Sequence, residues 1–160
     1  MARRSCTGAV DVSGDDSAGS AVAGVVGGPW DGAADRWTVD GVVVPGERRG
    51  RQLGWPTANV DVDRGALPPD GVYAGLVTVA GLAGGPFPAA VSVGSNPTFA
   101  GTSRTVEAYL LDFDSDLYGR RIRVEARARL RDTMAFGSVV DLLVAIEDDV
   151  ARTRALLSAP

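Results

Sequence analysis

Arg121-Ile122-Arg123-Val124-Glu125-Ala126-Arg127-Ala128-Arg129-Leu130-Arg131 decides the fold. Ile122, Val124, Ala126, Ala128 and Leu130 alternate strictly with Arg or Glu. A helix would scatter that set around its axis, whereas the two-residue period of a strand puts it on one face. The segment reads as a β-strand with one buried face and a solvated row of arginines. Only Arg131, at the strand end, invites a functional reading.

Working outward, the same texture recurs. Thr105–Phe113 reads as a strand, as does Ala89–Val93, which Gly94-Ser95-Asn96-Pro97-Thr98 closes as a turn. Gly81–Pro88 reads as a hairpin loop. Val72–Val79 is a strand with Val72, Ala74, Leu76 and Thr78 on one face and Tyr73, Val77 and Val79 on the other. Leu67-Pro68-Pro69-Asp70-Gly71 is a dense turn signal, and Val60 and Val62 alternate with Asp61 and Asp63 as a short half-buried strand. Trp37–Val44 is the first strand. Beyond the opening stretch the period changes. Ser138 with Asp141 three residues on forms a capping box, and Val139, Leu142, Leu143, Ile146, Val150 and Leu157 recur at helical spacing. Glu147, Asp148, Asp149, Arg152 and Arg154 fall largely on the other face. About six strands followed by one helix give a mainly β chain: a small antiparallel barrel braced by a C-terminal helix. Residues 1–35, rich in Gly, Ser, Ala and Asp, read as a disordered arm ahead of a single domain over 36–160.

Composition narrows the chemistry. The chain contains no His, and every basic residue is Arg. That excludes a Ser-His-Asp triad and a His-based zinc site. It also excludes the usual phosphate loops and protein-kinase sites, which need a Lys on the phosphates. Cys6 stands alone, so neither an internal disulfide nor a Cys₄ metal site is available. A net charge of −4 argues against generic nucleic-acid binding. No apolar run is long enough to span a bilayer. The N-terminus is a poor secretory signal, which points to the cytoplasm. Catalysis would fall to carboxylates, hydroxyls, amides, Arg and backbone N–H groups.

Gly46-Glu47-Arg48-Arg49-Gly50-Arg51-Gln52-Leu53-Gly54-Trp55-Pro56-Thr57-Ala58-Asn59 concentrates such groups. Glycines let a backbone approach a ligand closely, arginines attract phosphate, and the oxygens of Thr57 and Asn59 suit a hard cation such as Mg²⁺. A nucleotide-phosphate site and a basic surface loop ending in an ordinary turn fit these residues equally well.

An ordered set of motifs separates the two. Gly41–Gly46 and Arg49–Asn59 are followed by Pro69-Asp70-Gly71-Val72-Tyr73 and Gly94–Phe99, then by Thr105–Phe113, Asp116-Leu117-Tyr118-Gly119, and Leu130-Arg131 with Phe136. Over roughly Thr38–Leu157 this resembles the riboflavin kinase family, also found as the C-terminal half of bifunctional riboflavin kinase/FAD synthetases. The resemblance implies a six-stranded antiparallel Greek-key barrel with a C-terminal α-helix. It implies transfer of the ATP γ-phosphate to the 5′-hydroxyl of riboflavin, giving FMN. It assigns Glu107 as catalytic base and Gly46, Arg49, Gly50, Leu53, Pro56, Thr57 and Asn59 to ATP. Thr57 and Asn59 also hold the metal, Mg²⁺, with Zn²⁺ and Mn²⁺ left open. Thr102, Arg104, Thr105, Arg131 and Phe136 fall to the flavin, with Arg131–Phe136 where the family covers it. Without the resemblance, a lone Glu in a strand is more often an exposed face residue. Asp112 and Asp114 read as turn and strand-end carboxylates rather than ligands. The expected partners are ATP and riboflavin, with no nucleic acid or membrane, and the expected state is a monomer. The bifunctional members carry a preceding adenylyltransferase domain with a His-x-Gly-His motif. The absence of His here gives no expectation of FAD synthesis. Trp55 replaces the usual Phe or smaller residue. The alternative is a non-catalytic flavin- or nucleotide-binding module derived from the kinase.

Overall fold

The computed structural model describes residues 35–47, 49–63, 67–98 and 101–157, without the side chains of residues 49, 96–98 and 101–103. The expected arm over 1–35 lies outside the described residues except for Asp35. Six strands form: β1 (Trp37–Val44), β2 (Ala58–Val62), β3 (Gly71–Val79), β4 (Phe87–Thr98), β5 (Gly101–Leu110) and β6 (Arg121–Arg131). They close into a barrel in the order β1-β2-β5-β4-β3-β6, every pairing antiparallel. β6 returns between β3 and β1, and β5 lies beside β2, so the connectivity is the Greek key the resemblance implies. A short turn of helix, α1 (Arg49–Gln52), precedes β2, and the long helix α2 (Val139–Leu157) ends the fold.

Closure follows from the alternation. Val39, Val43, Val60, Tyr73, Val77, Val91, Val93, Val106, Ile122 and Val124 point inward into one apolar cluster. Each fully buried Val or Ile contributes about 1.5–3 kcal/mol through removal of apolar area from water, and closure of the barrel pairs every strand on both sides along its body. The outward arginines of β6 are paired but solvated: Arg121 with Asp63 at 2.7 Å, Arg123 with Asp40 at 2.9 Å, Arg127 with Glu125 at 3.2 Å. Such exposed pairs contribute about 0–1 kcal/mol each. The Arg123 hydrogen bonds hold the Asp40 carboxyl below its ordinary value.

Three expectations change. First, Gly94–Thr98 is strand, not turn: β4 and β5 stay in register from Ala89↔Leu110 to Thr98↔Gly101. β3 stops pairing with β4 at Val93. Beyond it β4 has one neighbour, so Pro97 can turn its missing N–H to the open side. Second, the β6 alternation does not keep one face throughout. Its pairing with β3 shifts between Ala74 and Gly75 and again between Val72 and Tyr73, and each extra residue flips the faces that follow. Ile122, Val124 and Ala126 stay in the barrel interior, while Leu130 joins Val72 and Ala74 in a second cluster against Leu156 and Leu157 of α2. Arg129 leaves the solvated row: its guanidinium lies 5.8 Å from the Tyr73 ring centroid and donates to the Asp70 carbonyl at 2.6 Å.

Third, α2 is rotated from the face its apolar residues suggest. One limb of the capping box forms, the Asp141 N–H donating to Ser138 Oγ at 3.1 Å, while Asp141 Oδ2 accepts from the Ser138 hydroxyl at 2.8 Å. Of the expected face Val139 is exposed and Leu142, Leu143, Ile146, Val150 and Leu157 are only half-buried, while the buried positions are Asp149 and Thr153. The cause is Arg131, whose guanidinium meets Asp149 by three hydrogen bonds of 2.7–3.1 Å. A carboxylate can turn inward where a fork of donors awaits it.

Candidate active site

β2 and β5 bring the chemistry together. Asn59 lies opposite Glu107 in their register. Glu107 has the strand parity of Thr105 and Tyr109, opposite to that of the buried Val106, Ala108 and Leu110, so it points outward. The Thr57 hydroxyl donates to Glu107 Oε2 at 3.2 Å. Gly46 packs on the Asn59 side chain: a Cβ there would come within 2.1 Å of Asn59 Nδ2, so any larger residue displaces the Asn59 amide.

The loop between Gly46 and Thr57 is folded back by its own backbone. The Leu53 and Trp55 N–H groups both donate to the Gly50 carbonyl, at 3.1 and 2.8 Å. Gly54 then takes a φ of +86°, which ends α1. A cavity of about 210 Å³ opens beside this loop at the mouth of the barrel. Gly46, Arg51, Pro56, Thr57 and Asn59 form one wall, and Phe113, Asp114, Asp116, Leu117 and Tyr118 the other. The second wall is the β5–β6 connection. It is held by Gly119 N–H to the Val43 carbonyl at 2.8 Å, Val43 N–H to the Arg120 carbonyl at 3.0 Å, and Tyr118 N–H to Asp116 Oδ1 at 2.9 Å.

On the other side of Thr57 the surface turns apolar. Trp55 meets the Tyr109 ring edge-on, centroids 5.2 Å apart. Between Trp55 and α2 runs an open groove lined by Glu147, Val150, Ala151, Arg154 and Ala155. Arg154 also pairs with Asp112, at 2.9 Å to Oδ1, tying α2 to the cavity's second wall. Those hydrogen bonds hold the Asp112 carboxyl below its ordinary value. Thr57, bonded to Glu107, thus lines the cavity at the barrel mouth, and Trp55, two residues before it, lines the groove on α2.

Of the residues expected from the sequence, Gly46, Pro56, Thr57, Asn59 and Glu107 come together. Gly50 and Leu53 build the turn behind the cavity rather than its wall, while Arg51 reaches the wall. The side chains of Arg49 and Thr102 lie outside the described residues. Thr105 keeps the outward parity of Glu107. Arg104 is not brought to the site. It lies on the Val106 side of β5, where it pairs with Asp70 and donates to the Pro68 carbonyl, clamping the turn before β3. Arg131 is committed to Asp149, with Phe136 5.6 Å from its guanidinium carbon. Its place is as an anchor for the segment after β6.

Asp114, expected as a turn or strand-end carboxylate, lines the cavity together with Asp116 and Tyr118. The Asp116-Leu117-Tyr118-Gly119 motif was the available signal, but a turn signature does not say which way its side chains face. The donor set fits a divalent cation. A hydroxyl that gives its hydrogen to Glu107 presents lone pairs elsewhere, and the Asn59 amide adds a second neutral oxygen. No group of three or more Cys, Asp or Glu among the described residues could hold a metal by itself. Phosphate oxygens and water would complete the coordination.

Comparison with known proteins agrees. The family profile described as riboflavin kinase (Flavokinase) matches residues 33–157. The bifunctional riboflavin kinase/FMN adenylyltransferase of Escherichia coli (strain K12) is 41% identical over 118 residues, 74% of this chain and 37% of that protein. The chain thus spans little more than a third of the length of that relative. A solved structure of riboflavin kinase from Trypanosoma brucei is 31% identical, with a TM-score of 0.60 over 78% of this chain and 79% of that one. Another, described as a macrolide-efflux protein from Streptococcus pneumoniae, is 38% identical, with a TM-score of 0.66 over 73% of this chain and 38% of that one. No helix among the described residues here is long and apolar enough to cross a membrane. Motif order, barrel topology and profile converge: the chain belongs to the riboflavin kinase family.

Proposed function

We propose that this chain transfers the γ-phosphoryl group of ATP to the 5′-hydroxyl of riboflavin, releasing FMN and ADP. The observation that carries the reading is the Thr57–Glu107 hydrogen bond, with Thr57 on the wall of the barrel-mouth cavity and Trp55, two residues before it, on the α2 groove. The nucleotide phosphates enter from the cavity side and the flat flavin from the groove side, against Trp55 and Val150. Thr57 occupies Glu107 Oε2, leaving Oε1 to accept the proton of the attacking hydroxyl as its oxygen bonds to phosphorus. Phosphoryl transfer asks the protein mainly for positioning and charge neutralisation, and Arg51 lies on the cavity wall for that purpose. Thr57 and Asn59 would hold Mg²⁺. Bound there, the cation supplies neutralisation of phosphate charge. The reading describes a monomeric cytoplasmic enzyme acting on small molecules, with neither nucleic acid nor membrane as partner.

Chromatography of protein incubated with ATP, riboflavin and Mg²⁺ tests it. FMN and ADP are expected in equal amounts, and neither after EDTA. Riboflavin retained but unconverted would favour the non-catalytic binding module instead.

Gly46→Ala supplies a sharper check. The added Cβ cannot share space with the Asn59 amide. Either Asn59 or the loop must shift, and a displacement near 1 Å at a reacting centre costs about 10–10²-fold in rate. The expected loss appears in kcat/KM for ATP. An unchanged kcat/KM would mean that Asn59 does not touch the nucleotide end.

A further inference from the structure

Glu107 has two cross-strand neighbours. Asn59 flanks it on β2, and Ser92 flanks it on β4. Residues directly opposite on one face have Cβ atoms about 4.5–5.5 Å apart, so Ser92 projects beside the carboxylate on the same outward surface. The parity of β4 agrees: Val91 and Val93 are fully buried in the barrel, while Ser92 is exposed. On its far side Ser92 is paired with Val72 of β3, which lies beneath Leu156 and Leu157 of α2. Ser92 therefore stands between the base and the wall formed by the helix. Its neighbours on the same face, Ala90 and Gly94, lie opposite Tyr109 and Thr105 and carry no polar side-chain atom. Among the described residues the exposed Ser92 hydroxyl has no hydrogen-bond partner, so it is free to meet a ligand.

We propose that Ser92 is a substrate-positioning residue that binds the hydroxyl adjacent to the reacting one on the acceptor's polyol chain. The inference rests on the kinase reading above and deepens it. An acceptor whose terminal hydroxyl meets Glu107 must direct its chain away from the phosphate cavity, and β4 is the strand on that side. The second hydroxyl of a vicinal diol lies one carbon further along the chain, on the Ser92 side of the carboxylate, where a serine can donate to it and accept from it. Glu107 then receives the proton of one hydroxyl while Ser92 fixes the rotation about the bond between the two. The site selects a chain ending in a diol over a simple primary alcohol.

The test is steady-state kinetics of wild type, Ser92→Ala and Ser92→Thr with two acceptors: riboflavin, and its analogue with hydrogen in place of the 4′-hydroxyl. Ser92→Ala is expected to lower kcat/KM for riboflavin about five- to tenfold, chiefly through KM. The same substitution should leave the deoxy analogue within twofold, and Ser92→Thr should restore most of the loss. Equal losses on both acceptors would assign Ser92 a structural role, and no loss on riboflavin would remove it from the site; either overturns the inference alone. Wild-type protein that forms no FMN overturns the kinase reading, and this inference with it.

Discussion

Replacing Glu107 with Gln is expected to slow FMN formation by about 10²–10⁴-fold, the usual contribution of a positioned general base, while thermal unfolding stays within a few degrees of wild type. The substitution keeps the shape of the side chain and an oxygen for the Thr57 hydroxyl, but an amide cannot take up the proton of the attacking alcohol. Glu107 is half-buried and outside the barrel core, so the fold does not depend on its charge. The measurement pairs kcat with a circular dichroism melt. A rate within threefold of wild type would move the base elsewhere, and the cavity carboxylates Asp114 and Asp116 would be next to test.

Replacing Arg131 with Ala is expected to cost about 3–5 kcal/mol of stability at neutral pH, because Asp149 would remain buried without its cation. Asp149 is 3% exposed as a residue, and the Arg131 and Asp149 side chains are 15% and 4% exposed. Burial pushes the Asp149 carboxyl above its ordinary value, and the Arg131 hydrogen bonds oppose that push. Removing Arg131 leaves only the weaker attraction of Arg152 against that push, which Asp148 reinforces. With a folded pKa above the unfolded one, the folded variant binds more protons than the unfolded chain between the two values, and so gains stability as pH falls through the folded pKa. The deficit against wild type should therefore shrink on acidification. Urea unfolding of both proteins at neutral and mildly acidic pH measures it. A deficit independent of pH would assign the loss to packing against Phe136 rather than to the stranded carboxylate.

Much of the barrel was legible in single strands. Trp37–Val44 is strand over the residues its composition suggests, and Val72–Val79 differs by one residue. Period-2 burial is a local property, and the sequence displays it. What escaped depends on partners. Gly94–Thr98 carries turn residues, yet pairing with Gly101–Thr105 overrides their preference. The bulges that turn Leu130 out toward α2 leave no mark in an unbroken alternation. Asp149 sits among Glu147 and Asp148 and reads as a surface carboxylate until Arg131 is found across from it. The site divides the same way. Gly46, Pro56, Thr57, Asn59 and Glu107 follow from motif order, and the structure brings them together. The resemblance put Arg104 in a loop leading to the Glu107 strand, but it lies within β5, and a separation of three residues puts it on the face opposite Glu107. Asp114, Asp116, Tyr118 and Ser92 become visible only once register and loop direction are known.

The central claim is that Glu107 and Thr57 mark the point where a phosphoryl group crosses from the barrel-mouth cavity to an alcohol in the groove. The direct test is a single-turnover reaction with ATP labelled in its γ-phosphate, riboflavin and Mg²⁺, following the label onto the flavin 5′-oxygen in wild type and in Glu107→Gln. The account predicts one labelled phosphate per FMN formed by wild type, and Glu107→Gln slower by at least about a hundredfold at unchanged riboflavin binding. Label released as inorganic phosphate with no FMN, or transfer at equal rates in the two proteins, would contradict it.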